Sequence, residues 1–330
     1  MPLKSRITRA MATVGTGLPN ESTEGMFLYD NVDILSLDTQ ETAIDPLRAS
    51  FTKTPSTIGR QLLQFSGKVF ADQHESGASI RYDPLLRCCG LVSNEPAVGT
   101  SIDYEPRSTG FEESSIYVDL NGIEYRLDPS RGTFTMTGTA GSPVEISFDI
   151  QGVIPAGGIL NSTSFTGSFD PGPSVIETFK GATASIAMTS PTRNISCLNN
   201  LILKSFTFNR GAELGERTSA CAANGLAGLD FANFNPTLEI TAEARDLSLG
   251  ATGEFGHIYD DLAAAAVHDV TVQWGTNASG IWKLSCPQAQ PTNISTPDGD
   301  AGNRNFVISY RLTHVTDDTE FKLSVNNTGF

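Results

Sequence analysis

The sequence predicts a mainly β protein of sandwich-type antiparallel domains, each carrying one short helix. Two observations predict it. Between Ser115 and Gln151, apolar and polar residues alternate in four short runs separated by turn residues, the pattern of a meander buried on one face. Composition agrees, with 39% hydrophobic and 18% charged residues and an abundance of Gly, Ser, Thr and Asn. That is too apolar and too weakly charged for a disordered chain, and it is rich in turn formers.

Residues 1–45 are polar and irregular, which predicts an extended N-terminal arm with a short strand near Asn31 to Leu37. Phe51 to Lys53 and Leu63 to Ala71 read as strands. Phe65, Lys68 and Phe70 break strict alternation in the second, as at a bulge or an edge. Next comes Tyr82-Asp83-Pro84-Leu85-Leu86-Arg87-Cys88-Cys89-Gly90. Asp83 suits an N-cap, Pro84 the first turn and Gly90 the stop, so the spacing predicts a helix of about two turns.

The meander follows. Ile116, Val118 and Leu120 alternate with Tyr117, Asp119 and Asn121, and Asn121-Gly122 suits a type I′ turn. Ile123, Tyr125 and Leu127 alternate with Glu124 and Arg126. A bend at Pro129 to Gly132 leads to Phe134 and Met136, set between threonines. Val144, Ile146, Phe148 and Ile150 then alternate with Glu145, Ser147, Asp149 and Gln151. Gln151 to Pro173, full of Gly and Pro, reads as a linker or one long loop.

The second half repeats the order of elements. Leu201 to Asn209 and Thr237 to Arg245 read as strands, and Gly256 to His268 as a helix. Strands follow at Asp269 to Trp274, Ile281 to Cys286, Asn305 to Leu312 and Glu320 to Val325. No residue-level repeat is visible. The common order predicts two tandem β domains, 46–172 and 173–330, related by duplication.

The succession of the RYDPLLRCCGL helix, a YEP segment at Tyr104 to Pro106, the SIYVDLNGIEYRL hairpin, the RGTFTMTG strand and the PVEISFDIQG strand resembles the major tail tube proteins of long-tailed, siphovirus-type bacteriophages. The residues carrying it are Tyr82, Asp83, Pro84, Leu85, Leu86 and Gly90 together with the meander, over about Ile80 to Gly152. The resemblance implies a structural virion subunit that polymerises into stacked rings, whose strands form a ring-shaped β-barrel through which DNA leaves the capsid. It implies self-association, contact with other tail proteins at the tube ends, passage of DNA without specific binding, and synthesis in the bacterial cytoplasm. Single-domain members generally form six-subunit rings. A duplicated chain would fill such a ring with three subunits, and six remain open.

The polar face of the meander carries Asp119, Glu124, Glu145 and Asp149 against one arginine, Arg126. It reads as a solvated sheet face or as the lining of a water-filled bore. The net charge of −15 opposes a sequence-reading DNA-binding domain and suits both a soluble protein and a DNA conduit. Five cysteines with no C-x-x-C spacing give no zinc or redox motif and suit a reducing compartment. The basic start, Met1 to Ala10, precedes no apolar stretch, so neither a secretory signal nor a membrane span is expected.

The sequence predicts no catalytic site, cofactor or metal. Four histidines (His74, His257, His268 and His314) fall in no nucleophile elbow, Walker A or H-E-x-x-H pattern. His257 and His268 read as surface or capping residues of the second helix, and Asp260-Asp261 as acids favoured by its dipole. Asp298 to Asn303 departs from the EF-hand template and reads as a loop. Six N-x-S/T sequons, at Asn20, Asn161, Asn194, Asn277, Asn293 and Asn326, fit a chain rich in these residues. Trp274, Trp282, Phe206, Phe208 and Tyr310 read as core, with a carbohydrate platform as the alternative. The competing function is accordingly a β-sandwich adhesin or glycan-binding module.

Overall fold

The computed structural model describes residues 8–15, 25–28, 35–43, 55–71, 80–97, 101–120, 123–155, 158, 160–161, 176, 178–180, 185–190, 193–196, 201–222, 224–244, 258–276, 280–297, 304–314 and 316–326. They form a mainly β chain whose strand pairs are all antiparallel, and the described strands close no barrel.

In the first half, β1 (Thr8–Val14), β2 (Gly25–Phe27), β3 (Leu35–Thr42) and β4 (Thr57–Phe70) precede helix α1 (Asp83–Arg87). The hairpin of β5 (Leu91–Ala97) and β6 (Ser101–Pro106) comes next. Then follow β7 (Ser114–Leu120), β8 (Ile123–Thr139), β9 (Glu145–Val153) and the two-residue β10 (Leu160–Asn161). The sheet order is β2-β1-β7-β8-β9-β4-β3, and β10 adds to β8 at Glu124 and Tyr125.

The second half comprises β11 (Ser185–Ser190), β12 (Arg193–Ser196), β13 (Leu201–Asn209), β14 (Ala212–Thr218), β15 (Leu226–Phe234), β16 (Thr237–Ala244), helix α2 (Ile258–Ala263), β17 (His268–Thr276), β18 (Gly280–Ser295), β19 (Asn305–Leu312) and β20 (Lys322–Asn326). Its sheet order is β12-β11-β17-β18-β19-β16-β13, with β20 added to β18. Strand for strand this is the order of the first half, and the helix occupies the same place in the connection. The β5–β6 hairpin is extra in the first half.

The long middle strands show the likeness in detail. Between Ser114 and Ile116 of β7, two steps face three on β8, from Leu127 to Ser130. Between His268 and Val270 of β17, two steps again face three on β18, from Cys286 to Ala289. Each extra residue makes a bulge, and a proline lies in each, Pro129 and Pro287, where a missing N–H is tolerated. The bulge explains a change of phase in the sequence. Leu127 is apolar at an odd position and Phe134 at an even one, yet both are fully buried. One inserted residue keeps them on the same side.

Two junctions join the halves. Thr135 to Thr139 of β8 pair with Ser205 to Asn209 of β13, and β20 pairs with β6. A smaller core cluster joins Leu62 and Val153 to Leu226 and Leu229, and the main one spans both halves. It includes Phe65, Leu85, Phe134 and Phe148 from the first, and Phe206, Trp274, Trp282 and Ile308 from the second. Across it runs an aromatic ladder. Tyr82 stacks on Trp282 at 6.2 Å, Trp282 on Trp274 at 5.9 Å, and Trp274 meets Phe206 at 5.4 Å.

Several expectations change. Thr8 to Val14 is no free arm but pairs with β7 along its whole length, with Ala10 and Ala12 fully buried. The bend at Pro129 to Gly132 is a bulge inside one continuous strand. β4 is flanked by β3 and β9 and keeps one register against β9, so it is neither an edge nor bulged there. The helix at 83–90 spans only Asp83–Arg87, followed by a turn ending at Gly90 with φ +79°. Tyr82, not Asp83, is the N-cap. The helix at 256–268 is likewise shorter, at Ile258–Ala263, and Ala265 takes φ +50°. Its alanines offer little apolar area to bury, while His268 gains a full strand ladder in β17. The hairpin of β14 and β15 was not expected.

Candidate functional site

The site the sequence points to is the polar face of β7, β8 and β9. Cross-strand pairs place Asp119 opposite Glu124 and Tyr117 opposite Arg126. Further along the same face, Thr133 lies opposite Asp149 and Thr137 opposite Glu145. The sheet therefore gathers the four acids on one face, but in two environments. Asp119 and Glu124 are buried, at 3% and 4% exposure, where β1 runs alongside β7 and β10 alongside β8. The evenly solvated face expected from alternation is thus closed at this end. Glu145 is half-buried and paired with Lys68 at 3.0 Å, and Asp149 is exposed.

The middle of this face is covered by the two-stranded sheet of β14 and β15, which packs on β8 and β9. Arg131 fixes it there. Its guanidinium pairs with Glu113 at 3.1 Å and Asp230 at 3.2 Å, and lies over the rings of Phe111 and Phe231. Arg210 is 1% exposed, with its guanidinium 3.9 Å from the centroid of Phe234. Burial lowers its pKa to about 10, with Glu320 the foremost opposing influence. Sequence reading missed both arginines. Arg131 sits in a stretch that reads as a bend and Arg210 just beyond the end of β13, and no local pattern announces the aromatic cage.

The family-like helix serves packing. Tyr82, Leu85 and Leu86 are at most 1% exposed. The Tyr104 hydroxyl donates to Asp83 at 2.9 Å, and Arg87 bonds both Asp83 and Glu112. Burial raises the Asp83 pKa, against the lowering influence of Arg87 and Tyr104. Ser114 Oγ donates to the Pro84 carbonyl at 2.7 Å, so Pro84 seats β7. Gly90 packs against the Phe234 ring, where a Cβ would come within 3.0 Å.

His268, expected at the surface, is 2% exposed. Its Nε2 lies 3.2 Å from Asp261 Oδ2 and its Nδ1 3.3 Å from the Tyr310 hydroxyl, which donates to Met188 Sδ at 3.1 Å. Asp261 thus reaches into the core while Asp260 stays exposed. Burial pushes the Tyr310 hydroxyl and the Cys286 thiol well up, leaving both un-ionised at neutral pH. His314 is exposed, whereas His74, His257 and the loop from Asp298 to Asn303 lie outside the described residues. Trp274 and Trp282 are each 1% exposed, which removes them as a carbohydrate platform. Among the described residues, no group of three or more His, Cys, Asp or Glu side chains could hold a metal ion, and no helix is long and apolar enough to cross a membrane.

No protein-family model matches the chain, and no curated protein matches it either.

Proposed function

We propose that this protein is a structural virion subunit, the major tail tube protein of a long-tailed phage, which polymerises into stacked rings around a bore for DNA. One observation carries the reading: the two halves share one strand order, and β8 of the first pairs with β13 of the second. A chain made of two like units joined edge to edge is already a segment of a larger repeating sheet. Three such chains would give six units around a ring-shaped barrel, and six chains are the competing arrangement. Tandem duplication of a unit that begins with β1 and recurs from β11 accounts for the likeness.

Assembly and passage would be its work, with no catalysis and no cofactor. Other tail proteins would meet the tube ends, and the site of action would be the virion tail after synthesis in the host cytoplasm. The net charge of −15 suits a conduit, since an anionic wall does not retain polyanionic DNA. The acids proposed to line the bore are Asp149 and Glu145, with Asp119 and Glu124 adding to the same field from beneath the surface.

Electron microscopy of the purified protein tests the reading. Rings or tubes with a central hole are expected on concentration. A strictly monomeric protein at every concentration and ionic strength would refute it.

A further inference from the structure

The two halves differ in one respect that assigns a partner surface. Their matched bulges set Ser130 equivalent to Ala289, the first paired residue beyond each bulge. Ser130 pairs with Gly152, and Ala289 with Leu312. Stepping back along β9 and β19 then matches Gln151 with Arg311 and Asp149 with Ser309.

In the first half the middle of this polar face is covered. The β14–β15 hairpin lies on it, tied by Arg131 to Asp230 at 3.2 Å and by the Ala212 N–H to Thr133 Oγ1 at 3.2 Å. That hairpin continues the β13–β16 pair outward, from Asn209 opposite Thr237 to Ala212 opposite Phe234. In the second half the matching face is open among the described residues. It forms a groove of about 290 Å³ lined by Thr237, Glu239, Thr292, Ser309 and Arg311 among others.

The counterpart of the covering hairpin is the outer part of β3–β4, beyond Leu35 opposite Phe65 and out to Thr42 opposite Thr57. Through Arg60 and Leu62 it touches β14–β15 of its own chain, Arg60 pairing with Glu216 at 2.6 Å and Leu62 sharing a buried cluster with Val153, Leu226 and Leu229. Six of the eight residues of β3 are exposed, and Leu37 and Ile58 are two large apolar residues at 46% and 58% exposure. Single exposed apolar side chains are ordinary, but two on one short arm mark a surface with no neighbour among the described residues.

We propose that the outer β3–β4 hairpin of one copy docks in the β16–β19–β18 groove of a second copy, repeating between chains the contact that β14–β15 makes within one. Charges follow the internal precedent. There an arginine on the face meets an acid on the hairpin. Here Arg311 on the face meets Glu41 on the arm, Asp38 being already paired with Arg60 at 3.0 Å. The strand edges agree. Among the described residues, β18 beyond Ala289 has β19 on one side only, whereas the matching part of β8 has both β9 and β13. β3 has β4 alone, whereas β13 has both β16 and β8. The two open edges are those that mate at the internal junction. Arm and groove are different surfaces, so the contact is heterologous and propagates head to tail. The inference rests on the tail-tube reading for closure of the ring, and on the chain's own geometry for the contact.

Mixed cross-linking tests it. Ile58→Cys and Thr292→Cys are made separately in a Cys197→Ser, Cys221→Ser background, since Cys221 is an exposed thiol and Cys197 lies outside the described residues. The two proteins are mixed and treated with a short bismaleimide. A covalent dimer is expected in the mixture and in neither protein alone, and the double variant should give a ladder that stops at a closed species. The double substitution Leu37→Asp with Ile58→Asp should raise the concentration needed for assembly at least tenfold, with an unchanged melting temperature. Cross-linking in either single variant alone, or none in the mixture, overturns the contact. Hollow rings without the mixed cross-link sink this contact and leave the tube reading standing. The mixed cross-link in a particle without a bore supports the contact and sinks the tube.

Discussion

Replacing Trp282 by alanine asks whether the two halves fold as one body. Trp282 belongs to the second half, is 1% exposed, and stacks on Tyr82 of the first half with ring planes 12° apart. On its other side it stacks on Trp274 at 9°. Truncating a buried tryptophan costs about 3–5 kcal/mol, and each ring contact contributes about 0.5–1.5 kcal/mol beyond its area. The substitution therefore removes one contact within the second half and one between halves. With an m-value of about 3 kcal/mol/M in urea, the midpoint should fall by about 1–2 M. Far-UV circular dichroism reports the whole fold, and Trp274, the one tryptophan left, reports the core. Both should move together in one transition, because the core cluster is continuous across the halves. A cycle with Tyr82→Leu should give a coupling of about 0.5–1.5 kcal/mol. Two separate transitions with only one displaced, or strictly additive Tyr82 and Trp282 effects, would refute the shared core.

Three other substitutions probe separate features. Asp83→Asn keeps an acceptor for the Tyr104 hydroxyl but cannot ionise. Because burial raises the Asp83 pKa above 3.8, its stabilising contribution is fully present below that value and is lost as pH rises through the folded-state pKa. The variant should gain on the wild type as pH increases from about 4 to 7, and thermal melts showing the opposite trend would contradict this. Gly132→Ala should destabilise by about 1–3 kcal/mol, since its Cβ would stand 2.4 Å from the Asp149 carbonyl oxygen and 2.8 Å from Ile150 Cα; an unchanged denaturation midpoint would contradict it. His268→Leu should cost about 1–3 kcal/mol by stranding polar groups in the core, and a melt equal to wild type would show that Asp261 and Tyr310 find other partners.

The strands most legible in the sequence are those with one buried face. Val144 to Ile150 alternates cleanly, and each of its apolar residues is at most 2% exposed. β7 was also legible, although both its faces are buried, because Tyr117 and Asp119 still read as polar positions. What went unread depends on contacts distant in sequence. β1 has little apolar weight, and its strand exists because β7, about a hundred residues on, offers an edge. The β14–β15 hairpin mixes glycine, acids and phenylalanines without alternation, because its phenylalanines serve a cage around Arg131 and Arg210 rather than a sheet face. His268 looked like a helix terminus because nothing local shows that Tyr310 faces it from the strand two places away in the sheet.

The burial of Asp119 and Glu124 bears on how an anionic bore would act. A carboxylate beneath a strand cannot be reached by a phosphate, whereas exposed Asp149 would meet whatever passes through such a bore. Near the surface, two unit charges about 4 Å apart interact by about 4 kcal/mol, and salt screens exposed pairs beyond about 8–10 Å. Reversing the exposed acid should therefore change passage more than neutralising the buried ones. Asp149→Lys should leave assembly intact, because its side chain is exposed, and should slow ejection of DNA most at low salt. Asp119→Asn should instead act on the fold around β1 and leave ejection from assembled particles unchanged. Equal ejection kinetics for wild-type and Asp149→Lys virions at low ionic strength would remove this face from the bore, whatever the rings look like.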